Sequence, residues 1–291
     1  MDDKEIFRRV LKIEIYTRFL ADQFFTGRYT STFKGKGIEF AEVRPYVPGD
    51  DIRSIDWNIT ARMNAPYVKE YVEERSLSII LLIDLSASVH FGTTEKFKRE
   101  LVSELASLLS WTAVRNNDKV GLVLFTDRVE KYIPPRKGRF HILRIIREIL
   151  YFKPEHRASG ISQAMEFASR VFRKKSIVFC FSDFFDADFE KQLRILSSRH
   201  DVIGIRVLDP KEIELPGCGI CEVKDTETGD VSFLNFSART VREKYKIFFD
   251  GERARLKKIF AGASCDLLEL RTDREYITTL LNFFRARAKR R

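Results

Sequence analysis

Five oxygen-bearing residues are spaced so that they could hold a metal ion. Asp84-Leu85-Ser86-Ala87-Ser88 closes the apolar run that begins at Ser78, and its polar side chains alternate with apolar or small ones. Three oxygens can converge from one short loop with that spacing. Ser159 precedes a segment of helical periodicity that starts near Ile161, and Asp183 closes a second apolar run, Ser176–Ser182. Two carboxylates and three hydroxyls are hard donors. They suit Mg2+ or Mn2+ in an octahedral shell and need no histidine or thiolate, which disfavours zinc. Four or five protein oxygens would leave a position for water or for an acid from a partner. The structural alternative is that Ser86 and Ser88 cap the loop and that Asp84 and Asp183 are ordinary strand-end acids.

Such residues meet only if the intervening elements bring their loops together. Ser78–Asp84, Val120–Phe125, Ser176–Ser182, Val202–Leu208 and Cys265–Leu270 read as strands, with Val129–Ile133 as an edge strand. Helical segments are expected at 95–116, 140–151, 161–172, 187–199, 238–260 and 275–288. This alternation predicts an α/β, doubly wound, mostly parallel sheet of Rossmann type, covered on both faces. In such sheets ligands bind beyond the carboxyl ends of strands, where the strand order reverses. Ahead of it, Ile6, Val10, Ile13, Thr17, Leu20 and Phe24 make one helical stripe over 3–24, expected to pack on the chain's own domain. Residues 27–37 read as loop. Pro45-Tyr46-Val47-Pro48-Gly49-Asp50-Asp51 reads as a turn between short strands. The expected division is a small N-terminal helix-plus-strand block over 1–75 and the sheet domain over 76–291. A β-rich insertion is expected near 213–236, with a hairpin tip at Thr228-Gly229-Asp230.

Ile80 to Ser88 resembles the first metal-site segment of von Willebrand factor A domains. The metal-ion-dependent adhesion site of that family joins an Asp-x-Ser-x-Ser loop, a threonine on a second loop and an aspartate on a third. By that resemblance Asp84, Ser86, Ser88, Ser159 and Asp183 are the implied metal residues. Ser159 keeps the hydroxyl of the threonine, and Gly160 stands where an aspartate often follows. The block from Gly35 through Asp50-Asp51-Ile52-Arg53-Ser54-Ile55-Asp56-Trp57 to Arg62 and Tyr71 is more specific. It closely resembles the bacterial family catalogued as domain of unknown function fifty-eight, which places this block directly before a von Willebrand A-like domain. The resemblance runs in register from about Gly35 to Asp183. It implies a MoxR-type AAA+ ATPase as partner, with the assembly or maturation of a client protein as the shared task. Asp50, Asp51, Arg53, Asp56, Trp57 and Arg62 form a dense charged loop. It reads as a salt-bridged clasp onto the larger domain or as a docking surface.

The composition limits the alternatives. The chain has 291 residues, with 44% hydrophobic and 32% charged side chains and 25 Phe, which is ample for a buried core and argues against disorder. No apolar run approaches the ~20 residues of a membrane span. No secretory leader is visible, and four cysteines suit a reducing cytoplasm. The net charge of +10 invites a nucleic-acid reading, so its location matters. Arg136, Lys137, Arg139, Arg144 and Arg147 form one acid-free segment, and Arg285, Arg287, Lys289, Arg290 and Arg291 form another. Together they equal the whole excess. The first has little aromatic interleaving, which favours a solvated or protein-docking face over nucleic acid. The second suits a frayed helix end, an acidic partner or peripheral contact with anionic lipid. Cys218-Gly219-Ile220-Cys221 has the spacing of zinc knuckles and redox motifs, but it has no second pair and no nearby histidine, so a hairpin with two free thiols is expected. His90 follows the Ser88 loop and reads as a solvated loop residue.

No nucleophile elbow, Walker loop or Ser–His–Asp order is present. The leading expectation is therefore a non-enzymatic interaction module with a Mg2+-dependent site. A metal-dependent phosphodiester hydrolase is one alternative, and a scaffold with a degenerate metal site is the other.

Overall fold

Strands written as unbroken apolar runs must be buried on both faces, and the central sheet is built from them. The computed structural model describes residues 3–24, 39–63, 65–72, 77–90, 92–93, 97–185, 188–224 and 230–290. The chain divides into two units, Met1–Thr32 with Ser78–Arg291, and Phe33–Leu77.

In the large unit the chain runs through α1 (Asp3–Phe24), then β3 (Ser78–Asp84), α3 (Lys98–Arg115), β4 (Lys119–Phe125) and β5 (Val129–Arg136). It continues through α4 (Arg139–Tyr151), α5 (Ile161–Val171), β6 (Ile177–Phe181), α6 (Glu190–Ser197) and β7 (Asp201–Leu208). The one-turn α7 (Pro210–Ile213), the hairpin β8 (Ile220–Lys224) and β9 (Val231–Asn235), α8 (Arg239–Gly262), β10 (Asp266–Arg271) and α9 (Tyr276–Arg290) follow. The main sheet has the order β10-β7-β6-β3-β4-β5. All neighbours are parallel except β5, which runs antiparallel on the edge beside β4. The expected α/β doubly wound class is the observed one. β5 extends past the expected Ile133 through Pro134 and Pro135 to Arg136. An edge strand tolerates prolines because one row of its backbone groups need not pair.

Ile79, Ile80, Leu81, Leu82 and Ile83 of β3 are all 0% exposed. One face packs on α5, α6 and α8 through Met165, Leu193 and Phe260. The first helix carries the expected stripe, with Val10, Thr17, Leu20 and Ala21 buried. It packs against α3 and α4 and therefore belongs with the large unit, which corrects its expected place in a 1–75 block. The buried Glu14 on that stripe was not expected; it accepts from Arg139 Nε of α4 at 2.7 Å. That ion pair ties one cation of the first basic segment to α1, with the Arg139 side chain itself still 53% exposed.

The small unit pairs β1 (Glu39–Pro45) with β2 (Tyr67–Val72) antiparallel, with α2 (Trp57–Met63) between them in sequence. The expected loop over 27–37 and most of the expected tip at 228–230 lie outside the described residues. Among the described residues, no helix is long and apolar enough to cross a membrane.

Candidate metal centre

The order of the sheet decides where a ligand can sit. From β3 the chain moves outward to β4 and β5, then crosses back to β6 on the other side of β3. The strand order reverses at β3, so a crevice opens beyond its carboxyl end. Asp84 is the last residue of β3 and is 2% exposed. Its Oδ1 accepts from the Ser86 amide at 2.8 Å. Its Oδ2 accepts from the Ser159 hydroxyl at 2.7 Å and from the Ser182 hydroxyl at 2.8 Å. The Ser86 and Ser88 hydroxyls lie 3.2 Å apart. Amide-to-carbonyl bonds from Leu85 to Phe125 and from Ala87 to Arg157 pin this loop to its neighbours. Residues from three separate loops are thereby fixed around one carboxylate.

Asp183 stands on the third loop. Its Oδ1 accepts from the Phe185 amide at 3.3 Å. The intervening Phe184 has φ 57, a left-handed conformation that bulky residues rarely adopt. Its buried ring packs edge-on against Phe260 at 5.1 Å, and this packing holds the backbone that presents Asp183. Burial, then repulsion from Asp183, pushes the Asp84 carboxyl up to about 6. A cavity of about 20 Å³ is lined by Asp84, Ser88, Ser182, Asp183 and Lys98 together with apolar side chains. That is room for about one water or one small cation.

The donor set fits a hard divalent ion. Its oxygens come from two carboxylates and several hydroxyls, and its two acids repel across a buried space. Among the described residues, no group of three or more His, Cys, Asp or Glu could hold a metal, so hydroxyl oxygens would have to share the work. Two cations border the site. Lys98 Nζ is turned to Glu212 at 2.8 Å. The fully buried Arg206 guanidinium lies between the rings of Phe185 and Phe249, 3.5 Å from Glu269, and within the field of Asp183.

The five expected metal residues thus fall on three neighbouring loops at one end of the sheet. Sequence reasoning missed Ser182, which was read only as the end of a strand, and Lys98, whose inward direction depends on how α3 docks. Gly160 has a physical cause. A Cβ there would lie 2.8 Å from the Asp127 Cα and carbonyl oxygen, so the close approach of that backbone excludes the aspartate seen at this place in the resembling family. The side chain of His90 lies outside the described residues.

The charged block of the small unit is used locally. Asp50 takes both terminal nitrogens of Arg44, at 2.7 and 2.8 Å, and this pairing holds its carboxyl down at about 2. Asp51 accepts from the Arg53 amide at 3.0 Å, and Asp56 accepts from the Asn58 amide at 3.0 Å at the start of α2. Each aspartate caps its own stretch of backbone, which is what a turn-and-helix connection requires. Arg53, Trp57 and Arg62 are exposed.

The profile of the family described as "Protein of unknown function DUF58" matches residues 42–255. Uncharacterized protein Rv1480 of Mycobacterium tuberculosis is 28% identical over 292 aligned residues, covering 99% of this chain and 92% of that protein. Among solved structures, the conserved hypothetical protein BatB from Bacteroides thetaiotaomicron is similar at 14% identity and a TM-score of 0.44, over 74% of this chain and 100% of that one. The SpRpn10 VWA domain is similar at 12% identity and a TM-score of 0.41, over 72% and 95% of the two chains.

Proposed function

We propose that this chain, which belongs to the DUF58 family of proteins of unknown function, is a protein-interaction module rather than an enzyme. The observation that carries the reading is the convergence on Asp84 of the Ser86 amide and the Ser159 and Ser182 hydroxyls, from three loops, beside a cavity of ion size. Asp84, Ser86, Ser88, Ser159 and Asp183 would hold Mg2+ or Mn2+. The ion would supply the positive charge that the two acids lack, and a position for an acidic side chain of a partner. The chain's own residues orient the carboxylate. Ser159 and Ser182 fix one oxygen of Asp84, the Ser86 amide fixes the other, and the Phe184 backbone presents Asp183. The partner proposed from the sequence resemblance is a MoxR-type AAA+ ATPase, with a third protein as client and the cytoplasm as the setting. Trp57, Arg53 and Arg62 on the small unit are proposed as a second contact.

One observation favours the scaffold reading: both oxygens of Asp84 accept hydrogen bonds from the chain's own groups. Calorimetric titration separates the two. Wild-type protein is expected to bind Mg2+ and to gain thermal stability at saturating metal, as mass action requires. Asp84→Ala is expected to lose both the heat and the Mg2+-dependent capture of the ATPase. Equal capture in EDTA would overturn the interaction reading.

A further inference from the structure

The hairpin that follows α7 carries a second chemical feature, remote in kind from the carboxylate site. Its strands pair Ile220 with Asn235 and Cys221 with Leu234. Immediately before β8, Gly219 turns the chain at φ 87. This turn is pinned on both sides: the Gly219 amide donates to the Ser237 hydroxyl at 2.9 Å, and the Phe236 amide donates to the Gly219 carbonyl at 2.7 Å. The pinned turn brings the Cys218 and Cys221 sulfurs to 3.2 Å. Cys218 is exposed and Cys221 is partly exposed.

From this geometry we infer that Cys218 and Cys221 are a redox site that forms a reversible intramolecular disulfide by exchange with a low-molecular-weight disulfide. The sulfurs need to close by only about 1 Å to bond. The C-x-x-C spacing is shared by zinc and redox motifs, and the sequence by itself points to two free thiols. Structural zinc takes four ligands, and among the described residues no group of three or more His, Cys, Asp or Glu could hold a metal. Among the described residues, the pair therefore has the two sulfurs that a disulfide needs without the four ligands of structural zinc. The remaining cysteines have a different character. Cys180 is fully buried in β6, and burial pushes the Cys265 thiol up to about 11, so both are held as unreactive thiols.

The exchange balances in two displacements. The exposed Cys218 thiolate attacks one sulfur of the oxidant, bonds to it, and releases the other sulfur as a thiol. Cys221, after losing its proton to water, attacks the Cys218 sulfur and releases the second thiol. Two protein thiols are oxidised to one disulfide, and one external disulfide is reduced to two thiols. The hydrogen bond with Cys218 raises the Cys221 thiol, which keeps it protonated while Cys218 attacks.

The test uses the full chain, oxidised glutathione and intact-mass and peptide-level mass spectrometry. After oxidation, the wild type is expected to lose the mass of two hydrogens, to carry a Cys218–Cys221 cross-link and to lose alkylation at both positions. Dithiothreitol is expected to restore all three. Cys221→Ser is expected to stop at a glutathione adduct on Cys218, and Cys218→Ser should yield no Cys221–Cys218 link by definition and far less adduct. Persistent free thiols in the wild type, a stable wild-type glutathione adduct, or zinc that co-purifies and shields both thiols would each overturn the inference. The wild-type mapping decides the matter even if a variant folds poorly.

Discussion

Asp84 is held by one amide and two hydroxyls at a buried position, beside a second acid. Its carboxyl sits at about 6, above its ordinary value of 3.8, so the folded state binds the extra proton between those values. Without metal, the Asp84 contribution to stability is therefore greatest below pH ~4, falls as the pH rises toward about 6, and then levels. Asp84→Asn removes the buried charge while keeping the side-chain shape. At neutral pH and without metal, this variant is expected to melt above the wild type, by about 2–4 °C for each kcal/mol relieved. Saturating Mg2+ should reverse the order, because only the deprotonated wild type can use the ion. Melting curves over pH 4–8, with Mg2+ and with EDTA, check both statements. An Asp84→Asn protein that melts lower than the metal-free wild type would show that the charge is already compensated. At this scale the sequence was informative about the five oxygens, because their spacing follows strand ends. It could not show Ser182, whose hydroxyl is turned to Asp84 by the way the strand exits the sheet.

Loops between β4 and α5 show the same limit one level up. Strands β3, β4, β6 and β7 were legible because burial on both faces writes them as unbroken apolar runs. The departure at Gly160 was visible but not its reason, which lies in the Asp127 backbone, distant in sequence. Gly160→Ala places a methyl group against that backbone, and backbone yields less readily than a side-chain end. The expected cost is ~1–3 kcal/mol, as for overpacking elsewhere. Gly160→Asp, which would restore the residue of the resembling family, is expected to cost at least as much and to weaken Mg2+ binding by displacing Ser159. Denaturant unfolding and calorimetry on the two variants measure these effects. Unchanged stability in Gly160→Ala would mean that the loop shifts freely.

Across the whole molecule, the net charge proves to be partly internal. Arg139 is paired with the buried Glu14, which fastens α1 to α4. Arg287, only 4% exposed in its side chain, meets Asp201 and lies 3.4 Å from Asp266; Arg290 reaches Asp266 at 3.0 Å. These pairs tie the last helix to the starts of β7 and β10. Arg285, Lys289 and Arg290 are exposed C-terminal cations that an anionic surface could meet. Arg287→Ala removes the buried cation that faces two partly buried acids, of which Asp266 keeps Arg290, and is expected to cost ~1–3 kcal/mol, read as a lower denaturant midpoint. A change below about 1 kcal/mol, the value of a surface pair, would place the pair with exposed ones. The proline pair of β5 has a consequence for how copies of the chain treat one another. Pro134 and Pro135 lack amide hydrogens, and a Cβ on the facing Gly121 would lie 2.9 Å from the Pro135 ring. That border of the sheet cannot template an added strand over those residues. Edge-to-edge pairing of copies is thereby disfavoured over the end of β5, by two prolines that lie just beyond the expected end of the strand at Ile133.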